Sequence, residues 1–258
     1  LAERKSELLK TKEALLRSFA FMKDCLSEEE KAPYRRFVDI AGKQGDVAKE
    51  LCREDRYVLL VAGNKIGLST LSIAETIVEG RKGYTIKTRL EIGQSSSDKI
   101  VVSTECRTTC DFRHQELLWE HRTSRKGVDN VSKMKGTISR GAARIEREID
   151  GLKEETNIPL GEELVLFTDA AELARRMVLG AEGKEYAFKV LHLGEDEPGV
   201  EYMEISRNEK LTSGDKDFQG HILLVKRHRA QQKVMLYDLQ RNLVEDRTVK
   251  NPIVIRRE

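Results

Sequence analysis

Between Tyr84 and Ile92 apolar and charged positions alternate strictly. Tyr84, Ile86, Leu90 and Ile92, with Thr88 among them, fall on one side, and Thr85, Lys87, Arg89 and Glu91 on the other. Successive side chains of a strand point to opposite faces, so the pattern predicts a sheet with one dry and one wet face. The run Tyr57-Val-Leu-Leu-Val-Ala62 reads as a strand before it, and residues 65–78 as another. Gly63-Asn64 between them suits a two-residue turn, because both residue types tolerate positive φ. Gly80-Arg-Lys-Gly83 then turns the chain into the third antiparallel strand.

The alternation continues downstream. Residues 100–111 are expected to form a fourth strand, with Ile100, Val102, Cys106 and Cys110 on one face, and 116–122 a fifth, carrying Trp119. Residues 128–139 and 142–149 read as a polar pair hinged at Arg140-Gly141. Ile145, Ile149 and Leu152 also fit one face of a helix over 139–155. One helix is clear: Asp169 and Glu172 make a capping pair, Leu173 and Met177 lie one turn apart, and Gly180 ends it. Five strands follow, at 185–193, 200–207, 221–228, 233–238 and 242–248.

Ahead of Tyr57 the period changes to that of helices. Leu8, Leu15, Phe19, Met22 and Leu26 form one apolar stripe over residues 1–26. Ser27 with Glu30 is a capping box for a second helix, with Pro33 in its first turn and Tyr34, Phe37, Val38 and Ala41 facing inward. Asp46 caps a short helix through Cys52, and Arg53-Glu-Asp-Arg56 is a charged link into the sheet. The expected organisation is a helical segment over 1–55 and a curved β domain over 56–258 with one helix near 169–179. The fold class is mainly β (α+β): a strongly curved antiparallel sheet, or half-barrel, since sheets of this many twisted strands curl to limit exposed edges.

Composition narrows the function. Among 258 residues, 46 Lys and Arg nearly balance 44 Asp and Glu, leaving a net charge of +2 and no concentrated basic stripe. No nucleic-acid partner is expected on that basis. No run of about 18 apolar residues exists, so no transmembrane helix is expected. Cys106 and Cys110 lie four apart on one strand, roughly 13 Å between Cα atoms, too far for a disulfide without a bulge. Cys25 and Cys52 could staple the helical segment or stay as buried thiols.

Several short motifs resemble a class of bacterial envelope domains. Tyr57-x-Leu59 followed by Gly63-x-Lys65-Ile66-Gly67 looks like their first hairpin. The loop Ile158-Pro159-Leu160 before a helix and the strand start Gly183-Lys-Glu-Tyr-Ala-Phe188 fit the same pattern. So do the closing strands, with Tyr237-Asp-Leu and Asn242-Leu-Val-Glu-Asp. Such domains resemble the half-barrel lipoprotein carriers LolA, LolB and LppX, in which a curved sheet wraps an apolar cavity plugged by a helix. Related domains precede transglutaminase-like peptidase domains. The resemblance implies a periplasmic or secreted address, with a signal peptide removed ahead of Leu1, and it carries over no catalytic residue.

Candidate chemistry is sparse. Gly63-Asn-Lys-Ile-Gly67-Leu-Ser-Thr70 lacks the second Gly and the Lys that a phosphate loop requires at its end. The five histidines show no metal spacing, and no nucleophile elbow is present, so neither metal, cofactor nor enzymatic activity is expected. Lys226-Arg-His-Arg229 and the run 122–126 read as solvated strand ends. Ligand meaning rests on the apolar alternation: Tyr84, Ile86, Leu90, Ile92, Ile100, Val102, Tyr186, Phe188 and Val190 should all face inward. They make either a filled core or the wall of a hollow sheet that holds an acyl chain. The expected function is a non-enzymatic carrier of an apolar or lipid ligand, contacted by Tyr84, Ile86, Leu90, Ile92, Val102, Phe188 and Val190. The alternative is an adaptor that docks a protein partner or a downstream transglutaminase-like peptidase domain.

Overall fold

A computed structural model describes residues 28–258 except 44–46, 96–97, 127, 150, 193, 196, 228–230 and 249–252. The apolar stripe over 1–26, Ser27 and the proposed partner Cys25 lie outside the described residues. Helix α1 spans Glu28–Lys43, and a single 3-10 turn spans Val47–Leu51. Then come strands β1 (Arg53–Val61), β2 (Asn64–Val78), β3 (Arg81–Ser95), β4 (Asp98–Thr109) and β5 (Gln115–Arg125). They continue as β6 (Val128–Ser139), β7 (Ala142–Ile149), β8 (Leu152–Pro159) and the short β9 (Val165–Phe167). Helix α2 (Thr168–Leu179) precedes β10 (Glu185–Leu191), β11 (Gly199–Ser213), β12 (Lys216–Arg227), β13 (Gln231–Asp238), β14 (Leu243–Thr248) and β15 (Ile253–Arg257).

All fifteen strands belong to one curved, unclosed sheet in the order β8-β7-β6-β5-β4-β3-β2-β1-β15-β14-β13-β12-β11-β10-β9. Every pairing is antiparallel except β9 with β10. The chain returns to the centre when β15 pairs with β1, so both termini of the sheet sequence meet there. The mainly β, half-barrel class read from the sequence is the class observed.

The free edge of β9 is met by a side chain. The amide of Gln115 on β5 donates to the Val165 carbonyl (2.7 Å) and accepts from the Phe167 N–H (2.8 Å), as a neighbouring strand would. The same amide donates to the Phe112 carbonyl. Next to it the Phe167 ring lies on Gly136 of β6, where an added Cβ would fall 2.7 Å from the ring. The sheet is therefore a roll: β9, at one edge, lies against the face of β5 and β6. Tyr34 of α1 fixes the approach to β9 by accepting the Leu164 N–H (2.6 Å).

Helix α2 fills the roll. Ala170, Ala171 and Ala174 permit close approach to the sheet, and Leu173, Met177 and Val178 pack around them, each at most 1% exposed. A helix apolar on most of its circumference is buried rather than amphipathic. Helix α1 covers β10, with the Phe37 ring 4.9 Å from Phe188 and 6.1 Å from Phe112 between centroids. Phe37, Ala41 and Leu51 join the same core cluster as the sheet.

Several sequence expectations shift. The first turn is Ala62-Gly63, with φ of 49° and 82°, and Asn64 already pairs with Val61. Arg53–Arg56 is not a link but the start of β1, because Asp55 faces the buried Arg176. The stretch 139–155 is a hairpin of β7 and β8, not a helix. Strands β8, β9 and β15 and the long second half of β11 escaped the reading, since they are polar, three residues long, or at the chain end. Pro33 sits within α1 rather than in its first turn. Helix α2 begins after Phe167 without a side-chain cap, and Asp169 is turned instead to the sheet. Gly180 does end it, its N–H bonded to the Met177 carbonyl (3.1 Å). Cys106 and Cys110 are unbridged thiols.

Candidate functional site

Register places the inward positions of β3 to β8 in transverse rows. Thr88, Thr104, Trp119, Met134, Arg147 and Glu154 form one such row. Toward one end lie Ile86, Cys106, Leu117 and Ile145, all buried beneath α2. Toward the other lie Leu90, Val102, His121 and Ser132, then Ile92 and Ile100, which are half-buried or exposed. Asp169 marks the boundary. Its carboxylate accepts from the Thr104 hydroxyl (2.6 Å) and the Thr88 hydroxyl (3.3 Å) at the first turn of α2. Burial raises the Asp169 carboxyl above the usual range, and the two hydroxyls offset only part of that.

The seven anticipated ligand residues thus fall into two groups. Tyr84, Ile86, Phe188 and Val190 are at most 2% exposed and packed in the core with α2. Leu90, Ile92 and Val102 line the concave face beyond the helix, beside Trp119 and Met134, all half-buried. The Trp119 ring stacks on His121 with centroids 5.8 Å apart. Together these side chains leave half-buried apolar surface on that face, called the trough below.

Sequence reading missed the charges inside the roll. Arg176 on α2 is fully buried and bonds to Asp55 (2.9 Å), the Tyr57 hydroxyl (2.9 Å) and Glu172 (3.2 Å). Arg175 bonds to Glu201 on β11 (2.6 Å) and to Glu172 (3.2 Å). Burial disfavours both guanidinium charges, but Glu201 and Glu172 outweigh it for Arg175, as Glu172 and Asp55 do for Arg176. Burial also opposes the Glu201 charge, yet Arg175 and His192 hold its carboxyl far below the usual range. Asp246 on β14 goes the other way: burial raises its carboxyl, and Oδ1 has no hydrogen-bond partner. The signal in the sequence was Arg175-Arg176 within the apolar run from Leu173 to Leu179. Two adjacent arginines there require buried carboxylates opposite.

This network gives each buried guanidinium of α2 a carboxylate on the sheet, so its role is to key α2 into the sheet. Among the described residues no three His, Cys, Asp or Glu side chains gather to hold a metal. Two surface cavities complete the picture. A groove of about 750 Å³ crosses β3 to β8 on the face turned from the core. Most of its charges pair with one another, as Lys87 with Glu105 (3.0 Å) and Arg144 with Glu155 (2.9 Å). A second cavity of about 870 Å³ lies at the base of the roll, among the β2–β3, β4–β5 and β6–β7 turns and the segment before β9.

No protein-family model matches the sequence, and no curated protein compared with it matches either. A solved structure does share the architecture. The "beta-barrel-like protein of domain of unknown function DUF1849" from Brucella abortus superimposes with a TM-score of 0.53 at 9% identity. The match covers 80% of this chain and 94% of that one. At that identity the likeness speaks for the fold alone. It is to a barrel-like sheet and does not single out the lipoprotein carriers.

Proposed function

We propose that this is a non-enzymatic, extracytoplasmic binding protein that holds an apolar, lipid-like ligand in the open half of its roll. One observation carries the reading: the first turn of α2 reaches only to the row of Thr88, Thr104, Trp119 and Met134, while apolar side chains continue past it as Leu90, Ile92 and Val102. An acyl chain would lie along that row, and the packed group of Tyr84, Ile86, Phe188 and Val190 would close the inner end. Leu90, Ile92, Val102, Trp119 and Met134 would meet the acyl chain, with His121 and Ser132 as polar groups among them. The periplasmic or secreted address rests on the motif resemblance.

Native mass spectrometry of the purified protein, together with Leu90→Trp, tests this. The reading expects co-purified lipid in the wild type, its loss in the variant, and little change in thermal midpoint. A filled interior would instead be overpacked by the same change, at about 1–3 kcal/mol. A lipid-free wild type with a sharply destabilised variant overturns the reading. A second reading, a docking surface for a protein partner, is favoured by Val128 (60% exposed), Ile149 (49%) and Leu152 (76%) at hairpin ends. Val128→Ser with Leu152→Ser would abolish partner capture and leave lipid content unchanged.

A further inference from the structure

The cavity at the base of the roll stands at the opposite end of the sheet from the trough. It gathers Arg81, Arg113, Arg140 and His114 from three separate turns, with Glu79, Glu162 and Glu163 around them. Its walls are unequal in unspent charge. Glu163 is taken by Lys189, and Glu79 lies 3.4 Å from His114 Nδ1. Arg113 spends one N–H on the Glu162 carbonyl (3.1 Å), and among the described residues Arg81 pairs only with Asp111, at 3.7 Å. Arg140 has no hydrogen bond or ion pair among the described residues. The His114 side chain is 7% exposed; its Nε2 stands 3.5 Å from Glu116 and makes no hydrogen bond. The ring thus lies between the Glu79 and Glu116 carboxylates, in the wall of the cavity. Arginine forks converging from separate turns match the oxygens of phosphate.

We propose that this cavity binds a phosphate group, carried by a phospholipid headgroup or by a small phosphate ester. Arg81, Arg113 and Arg140 would hold its oxygens, with the His114 ring in the wall beside them. The Glu162 carboxylate selects a ligand that also presents a hydroxyl or an ammonium. Phe112, Ile138, Leu160 and Leu164 give the cavity an apolar floor. The inference is independent of the trough reading, because the two sites share no residue.

The test uses the whole chain. Isothermal titration with glycerol 3-phosphate reads the free ester, and flotation with phosphatidylglycerol against phosphatidylcholine vesicles reads the headgroup. Arg81→Gln with Arg140→Gln removes two exposed charges without touching the core, and Arg125→Gln at the other end of the roll is the control. Saturable binding in either arm, weakened about tenfold or more by the paired substitution and unchanged by the control, supports the proposal. In the ester arm the His114 imidazole resonances should also shift. No saturable binding in either arm overturns it. So does equal sensitivity to Arg125→Gln, or ester binding that leaves the His114 resonances unmoved.

Discussion

Replacing Asp55 by alanine tests whether the buried charges key α2 into the sheet. The Asp55 side chain is 1% exposed, and it faces Arg176 (2.9 Å), Arg257 (3.4 Å), Arg53 (3.5 Å) and the Tyr57 hydroxyl (3.3 Å). Arg176 is 0% exposed, so the change leaves a guanidinium in the core with Glu172 as its only carboxylate among the described residues. Breaking a buried pair from one side costs about 3–5 kcal/mol, chiefly for the uncompensated charge. In a domain of this size that is roughly 6–20 °C in thermal midpoint. Removing both charges is different: Asp55→Ala with Arg176→Met should recover much of the loss, since an apolar side chain can replace the ion pair. Calorimetry of the two single variants and the double variant is the assay. A cost under about 1 kcal/mol for Asp55→Ala, or strictly additive losses, would refute the keying argument.

Three further outcomes follow from the same geometry. Glu201 has its folded-state carboxyl held far below the usual range, so its contribution is present above the unfolded value and is lost progressively as pH falls from there through the folded one. Thermal midpoints should therefore drop below about pH 5, and Glu201→Gln should flatten that slope while lowering the plateau. Asp246 has the opposite sign, because a carboxyl raised by burial penalises the fold once it ionises. Asp246→Asn should raise the midpoint at neutral pH, and an unchanged or lower value would count against that account. Gln115→Leu leaves the Val165 carbonyl and Phe167 N–H without a partner, at about 1–3 kcal/mol for each group. Hydrogen exchange should then accelerate first at Phe167, and protection equal to wild type would show that the edge is held by something else.

The sequence reading did best where one strand face is dry and the other wet. From Tyr57 to Ile92 the pattern identified three strands, and the register sets Ile86 opposite Cys106 and Leu90 opposite Val102, on the inner face the alternation gave Ile86, Leu90 and Val102. It lost accuracy where that contrast fades. Strand β8, Leu-Lys-Glu-Glu-Thr-Asn-Ile-Pro, is exposed along most of its length and shows no period. The ion network was hidden for another reason. Asp55 lies in a charged run that looks like a linker, and only the fold brings it to Arg176, 121 positions away. Gln115 and His114 carry no local signal, because their partners come from β9 and from neighbouring turns. The trough was half readable: alternation placed Leu90, Ile92 and Val102 on the inner face, but the reach of α2 divides them from Tyr84 and Ile86.

Trp119 is the single tryptophan of the chain and stands in the row that meets the first turn of α2. Its fluorescence therefore reports on the trough directly. Titration with a brominated fatty acid, against the same acid without bromine, measures contact between an acyl chain and that ring. The account predicts saturable quenching by the brominated acid alone. A folded protein whose Trp119 emission is untouched up to the solubility limit of the acid would contradict it.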